Sequence, residues 1–150
     1  MKKIALLLVT IILATGCGAK KTSAPEKPAG VVSFEYEALT RGNYKKVIVT
    51  QDSIITIKDH EMKDVVKNST STAEWNTLME ALNKVNLEEM KDIVPPSKKH
   101  QFDGALAAHL KVIKEDETYR SATFDHGNPP AGLKTIVDKI VAISDMPKRK

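Results

Sequence analysis

Val32, Phe34, Tyr36 and Ala38 alternate with Ser33, Glu35 and Glu37. A period of two sends every second side chain to the same side of an extended backbone, so this stretch commits the chain to a half-buried strand. A sheet with one apolar face needs something to cover it. The rest of the sequence supplies both partners. Thr40-Arg41-Gly42-Asn43 has turn chemistry, and Tyr44–Thr50 and Ser53–Lys58 are rich in β-branched residues. Together these stretches predict a three-stranded antiparallel meander. Asp59–Thr70 is polar and reads as a loop or an edge extension. Ser71 and Glu74 then fit a capping box, and Trp75, Leu78, Met79, Leu82 and Val85 follow at helical spacing, predicting a helix from Thr72 to about Val85.

The second half repeats the plan without repeating the sequence. Ile93–Gly104 has no period, and Pro95-Pro96 forces extended backbone, so a long loop is expected. Leu106–Val112 and Thr118–Phe124 alternate as two further strands around the Glu115-Asp116-Glu117 turn. Asn128 suits a helix N-cap and Pro129 the first helical position, ahead of an apolar stripe through Leu133, Ile136, Val137, Ile140 and Val141. The predicted fold is α+β: a five-stranded antiparallel sheet in the order β-β-β-α-β-β-α, with two helices packed on one face. Residues 31–147 form a single domain, and 148–150 are a basic tail.

Ahead of that domain, Lys2 and Lys3 precede an apolar run from Ile4 to Leu13, and Ala14-Thr15-Gly16 leads to Cys17. A charged start, an apolar run and small residues are the layout of an export signal. The run is too short for a transmembrane helix, which needs roughly 20 apolar residues. Leu13-Ala14-Thr15-Gly16-Cys17 resembles the lipobox of bacterial lipoproteins, although the leucine stands one place further from the cysteine than is usual in that family. The resemblance implies cleavage after residue 16 and a diacylglycerol on the Cys17 thiol. The plainer alternative is ordinary secretion, with Cys17 left as an unpaired thiol. Cys17 is the sole cysteine of the chain, so no internal disulfide can account for it. Residues 17–30, GAKKTSAPEKPAG after the cysteine, have the composition of a flexible tether. The implied location is the cell envelope, lipid-anchored to a bacterial membrane on the periplasmic side or at the cell surface. The arrangement of the domain is also similar to that of small lipoprotein domains of Gram-negative bacteria, with the Tyr119–Pro130 run its most distinctive piece.

The formal charge of +4 sits at the chain ends. Once the signal and tether are set aside, 18 basic residues face 18 acidic ones. Nucleic-acid binding asks for a concentrated basic face, and neither that balance nor export suits it. No nucleic-acid partner is expected.

Three constellations carry possible chemistry. His100 and Asp103 in the long loop, with Asp125 and His126 after the fifth strand, have the residue types of a metal site or a proton-sharing pair, but no ligand spacing. Asp125 and Asn128 are equally well explained as turn and cap residues. Ser97 and Ser121 lack a nucleophile elbow, and no glycine-rich phosphate loop is present. No cofactor and no metal are therefore expected. Tyr36, Tyr44 and Tyr119, with Arg41 and Arg120 among them, are the types enriched at binding hot spots. The expected function is a non-catalytic binding module for a protein or other envelope component, held to the membrane by its N-terminal lipid. The alternatives are a small metal-dependent hydrolase using His100, Asp103, Asp125 and His126, or an inhibitor of an envelope enzyme.

Overall fold

The computed structural model describes Gly30 and residues 32–146. The signal segment, Cys17, nearly all of the tether and the basic tail lie outside the described residues.

The alternation at the start of the domain forms β1 (Val32–Thr40), with Val32, Phe34, Tyr36 and Ala38 all buried. The Arg41-Gly42 turn folds the chain back into β2 (Asn43–Val49), with Thr40 opposite Asn43. β3 (Ser53–Ile57) and β4 (Val65–Ser69) continue the antiparallel meander. After the first helix, β5 (Ala107–Lys114) inserts beside β1, not beside β4, pairing Tyr36 with Leu110. β6 (Glu117–Arg120) and β7 (Phe124–Asp125) then share the other edge of β5. The sheet order is β4-β3-β2-β1-β5-β6, with β7 also on β5.

The α+β class holds, and the strand number is corrected from five to seven. The fourth strand takes the edge-extension alternative for Asp59–Thr70, and Val65-Val66-Lys67-Asn68-Ser69 has no alternation to mark it as a strand. It is an exposed edge and buries almost nothing. The final strand is split at Ser121. There the backbone N–H donates to the Leu110 carbonyl at 2.9 Å, and the hydroxyl accepts the Leu110 N–H at 3.0 Å. A side-chain oxygen thus stands in for a ladder carbonyl, and the N–H of Ala122 is released to Met90 at 3.2 Å.

Helix α1 (Thr72–Leu82) starts with the expected capping box and ends three residues earlier than its apolar stripe suggested. Trp75 meets Phe34 edge-on, with ring centroids 5.8 Å apart. Helix α2 (Ala131–Ile143) begins with Pro130, not Asn128, at its N-cap. The Asn128 amide is committed elsewhere, donating to the Ser97 hydroxyl at 2.7 Å. The buried side chains of both helices, among them Leu78, Leu82, Leu133, Ile136 and Ile140, join one cluster with Phe34, Tyr36, Val47, Val49, Leu110 and Val112. By the pleat, those strand residues share one face. The opposite row, including Glu35, Glu37, Lys46, Ile48, His109 and Lys111, has no described helix over it.

Candidate functional site

The open row is ordered by charge. The two-residue turn after β1 sets Glu37 opposite Lys46, and the β1–β5 pairing sets Glu35 opposite Lys111 and Glu37 opposite His109. Glu35 therefore lies between two lysines, with Lys46 Nζ at 2.9 Å and Lys111 Nζ at 2.8 Å. Burial by neighbouring side chains pushes the Glu35 carboxyl up. Hydrogen bonds from Lys111 and Lys46 outweigh it and hold the group below the usual carboxylate range. Each ammonium carries three N–H groups and points one at Glu35.

A second chain of contacts runs beside the first. His109 Nε2 is 3.2 Å from Glu37, and its Nδ1 is 3.3 Å from a guanidinium nitrogen of Arg120. A guanidinium can only donate, so Nδ1 is the acceptor and Nε2 carries the proton toward Glu37. Burial, followed by the positive charge of Arg120, holds the imidazole below its ordinary pKa against the pull of Glu37. Tyr44 lies against His60, with ring centroids 4.5 Å apart; burial and the neighbouring Glu37 carboxylate raise its hydroxyl to about 12. The result is a fixed pattern of carboxylate, ammonium, imidazole and guanidinium across four strands, flanked by partly exposed Ile48, Ile55 and Ile113.

The polar cluster expected from the sequence forms only in part. Asp125 is buried, and its carboxylate accepts the Ser97 hydroxyl at 2.5 Å, the Lys99 N–H at 2.9 Å, the His100 N–H at 2.7 Å and His100 Nδ1 at 2.6 Å. Burial raises the group, but these hydrogen bonds more than offset it and hold the carboxyl far below its usual range. A nucleophilic triad needs the hydroxyl on the imidazole and the imidazole on the carboxylate. Here both donate to the carboxylate, so Ser97 has no base. The arrangement clamps the 97–104 loop. Gly127 takes φ +81° to close the turn below it, where the Asn128 N–H meets the Asp125 carbonyl at 2.8 Å.

His126 turns away from His100. Its Nδ1 is 2.8 Å from the Tyr36 hydroxyl inside the core. Asp103 is exposed with φ +57° at the end of a short 3-10 turn. Among the described residues no group of three or more His, Cys, Asp or Glu is placed to hold a metal ion.

The remaining expectations divide by strand parity. Tyr44 and Arg120 are on the open face, and Arg41 is exposed at the hairpin turn. Tyr36 is a correction: it is fully buried under the helices and offers nothing to a partner. Burial raises its hydroxyl well above the ordinary tyrosine value. Tyr119 stands on the helix side of β6 and donates to Glu117. Glu35, Glu37, Lys46, His109 and Lys111 went unnoticed in the sequence. Half of the signal was present, since the tight turn fixes Glu37 against Lys46; the β5 half depends on a pairing across about 70 residues.

The fold and this face define an α+β domain with an antiparallel sheet, helices on one side and a polar, charge-ordered surface on the other. Comparison with protein-family models, curated proteins and solved structures finds no match to the chain. No described helix is long and apolar enough to cross a membrane.

Proposed function

We propose that the protein is a lipid-anchored, non-catalytic module of the bacterial cell envelope that binds an envelope protein through the uncovered face of its sheet. The observation that carries this reading is the pair of ion networks centred on Glu35 and Glu37. They hold the lysine, histidine and arginine heads in place before any partner arrives, which removes part of the ordering cost of binding. The lysines keep donors in reserve, and the isoleucines around them add apolar area. Charge order of this kind favours recognition of one partner over others. The lipid anchor rests on the Leu13–Cys17 resemblance and on the otherwise unexplained single cysteine.

A photo-crosslinking amino acid at Ile48, in cells, tests the face. We expect a discrete adduct from position 48 and none from Asp138 on the outside of α2. Adducts from 138 alone, or from neither position, would refute the assignment. Intact mass of protein from the envelope tests the anchor separately, with Cys17→Ser as the unacylated reference.

A further inference from the structure

The two ends of the sheet differ in chemistry. At the end marked by the Arg41-Gly42 turn, four large apolar side chains stand in solvent: Met62 (62% exposed), Val65 (45%), Val94 (79%) and Phe102 (84%). The register places Met62, Val65 and Phe102, and Val94 follows Ile93, whose side chain lies by Gly132 in the first turn of α2. The 58–64 loop leaves β3 beside the start of β2, where His60 lies on Tyr44. The 97–104 loop is clamped to Asp125, which pairs with Ala107 opposite Leu39. Exposed Lys98 and Lys99 lie between Val94 and Phe102 in the sequence, exposed Asp103 follows, and the 58–64 loop adds Lys58 and Lys63 with Asp59, Glu61 and Asp64. The other end carries exposed Asp52, Glu115, Asp116 and Glu117 beside Lys114.

We infer that the Met62–Phe102 end is a membrane-contact surface, with Phe102 and Val94 entering the headgroup layer and Lys98 and Lys99 pairing with anionic lipid phosphates. This rests on the lipid-anchored reading, which keeps the bilayer within reach. The charge contrast decides the orientation. An anionic surface favours the Met62–Phe102 end, where Arg41, Lys58, Lys63, Lys98 and Lys99 face Asp59, Glu61, Asp64 and Asp103 for a formal charge of +1, over the other end, where Asp52, Glu115, Asp116 and Glu117 face Lys114 for −3. The shape fits as well: Phe102 projects from a turn, and a lipid interface accepts a projecting ring with lysines behind it without a matching cavity.

Chain length permits this posture. Val32 enters the fold at the acidic end, opposite Lys114. The 15 steps from Cys17 to Val32 reach at most roughly 50 Å, whereas the nine residues of β1 span about 30 Å. The tether can therefore run the height of the domain. In this posture the strands stand upright and the Glu35 face looks sideways along the membrane.

The test uses the acylated protein on vesicles of phosphatidylcholine alone or of an equal mixture with phosphatidylglycerol. Phe102→Trp is compared with Asp116→Trp after subtracting the emission of the parent, whose single Trp75 packs against the core. Emission from position 102 shifts to the blue and is quenched by brominated lipid on the anionic vesicles, while position 116 stays in water. Charge reversal at Lys98 and Lys99 lowers the inserted-to-free ratio by about tenfold or more. Position 102 remaining in water while the protein is vesicle-bound overturns the inference and leaves the anchor standing, as does insertion at 116 instead. Position 102 exposed on vesicles but shielded in native envelope assigns the loop to a protein pocket and equally overturns it. Failure of envelope-derived protein to carry acyl chains or bind vesicles overturns both readings.

Discussion

Asp125 and Glu35 are both carboxylates held ionised by neighbours, yet their surroundings are arranged for different ends. Asp125 is 1% exposed and accepts from a hydroxyl, two backbone N–H groups and an imidazole, all from one loop. Glu35 keeps a partly exposed side chain and takes two ammonium groups from the strands on either side. The first centre is saturated within the chain, and its work is done once the 97–104 loop is in place. The second stabilises two cations whose side chains stay partly exposed. Burial with complete satisfaction makes structure; partial burial with donors in reserve makes a surface ready to bind.

Removing each carboxylate breaks the comparison most severely. Asp125→Ala leaves four donors without their acceptor, and we expect a loss of about 3–5 kcal/mol in urea unfolding, because one side of a buried polar cluster has been deleted. Asp125→Asn keeps the size and one acceptor oxygen and should cost roughly half of that. Glu35→Gln should cost about 1 kcal/mol or less, the range of an accessible ion pair, yet abolish crosslinking from Ile48. An equal stability loss for the Asp125 and Glu35 variants would erase the distinction drawn between them.

Acid sharpens the same contrast. The folded pKa values of Asp125 and Glu35 are both lowered, so their stabilisation is present above the ordinary carboxylate range near 4 and is lost as pH falls through the folded values. His109 is also lowered, so the unfolded chain takes up its proton first. Stability contributed there is intact above about 6.5 and declines as pH falls through the folded value. Denaturant midpoints from pH 8 to pH 5 should show that decline in the parent and not in His109→Gln. At the small end, Ser71→Ala removes the capping hydroxyl of α1 and should cost about 1 kcal/mol, with no effect on the sheet face.

The sequence showed β1, both helices and the Ser71–Glu74 cap because each is a local pattern. It left β4 between a loop and an edge extension, because side chains that bury so little leave no period, and it did not show the break at Ser121, where a hydroxyl replaces a carbonyl in the ladder. Asp125 was legible as a turn residue. Its hold on Ser97 and His100 was not, because nothing local relates positions separated by 25 or more residues. Tyr36 was misjudged for the opposite reason. Residue type suggested a contact surface, while its parity with Phe34 and Ala38 already placed it in the core. His109 shares the same blind spot as the lysines: the face it joins exists only after β5 inserts next to β1.

Lysine-reactivity footprinting compares Lys46 and Lys111 directly between intact envelope and purified protein, with Lys134 on α2 as the internal reference. We predict that both sheet-face lysines are shielded in the envelope and regain reactivity on purification, while Lys134 does not change. Equal reactivity of Lys46 and Lys111 in the two samples would contradict the assignment of this face to a partner.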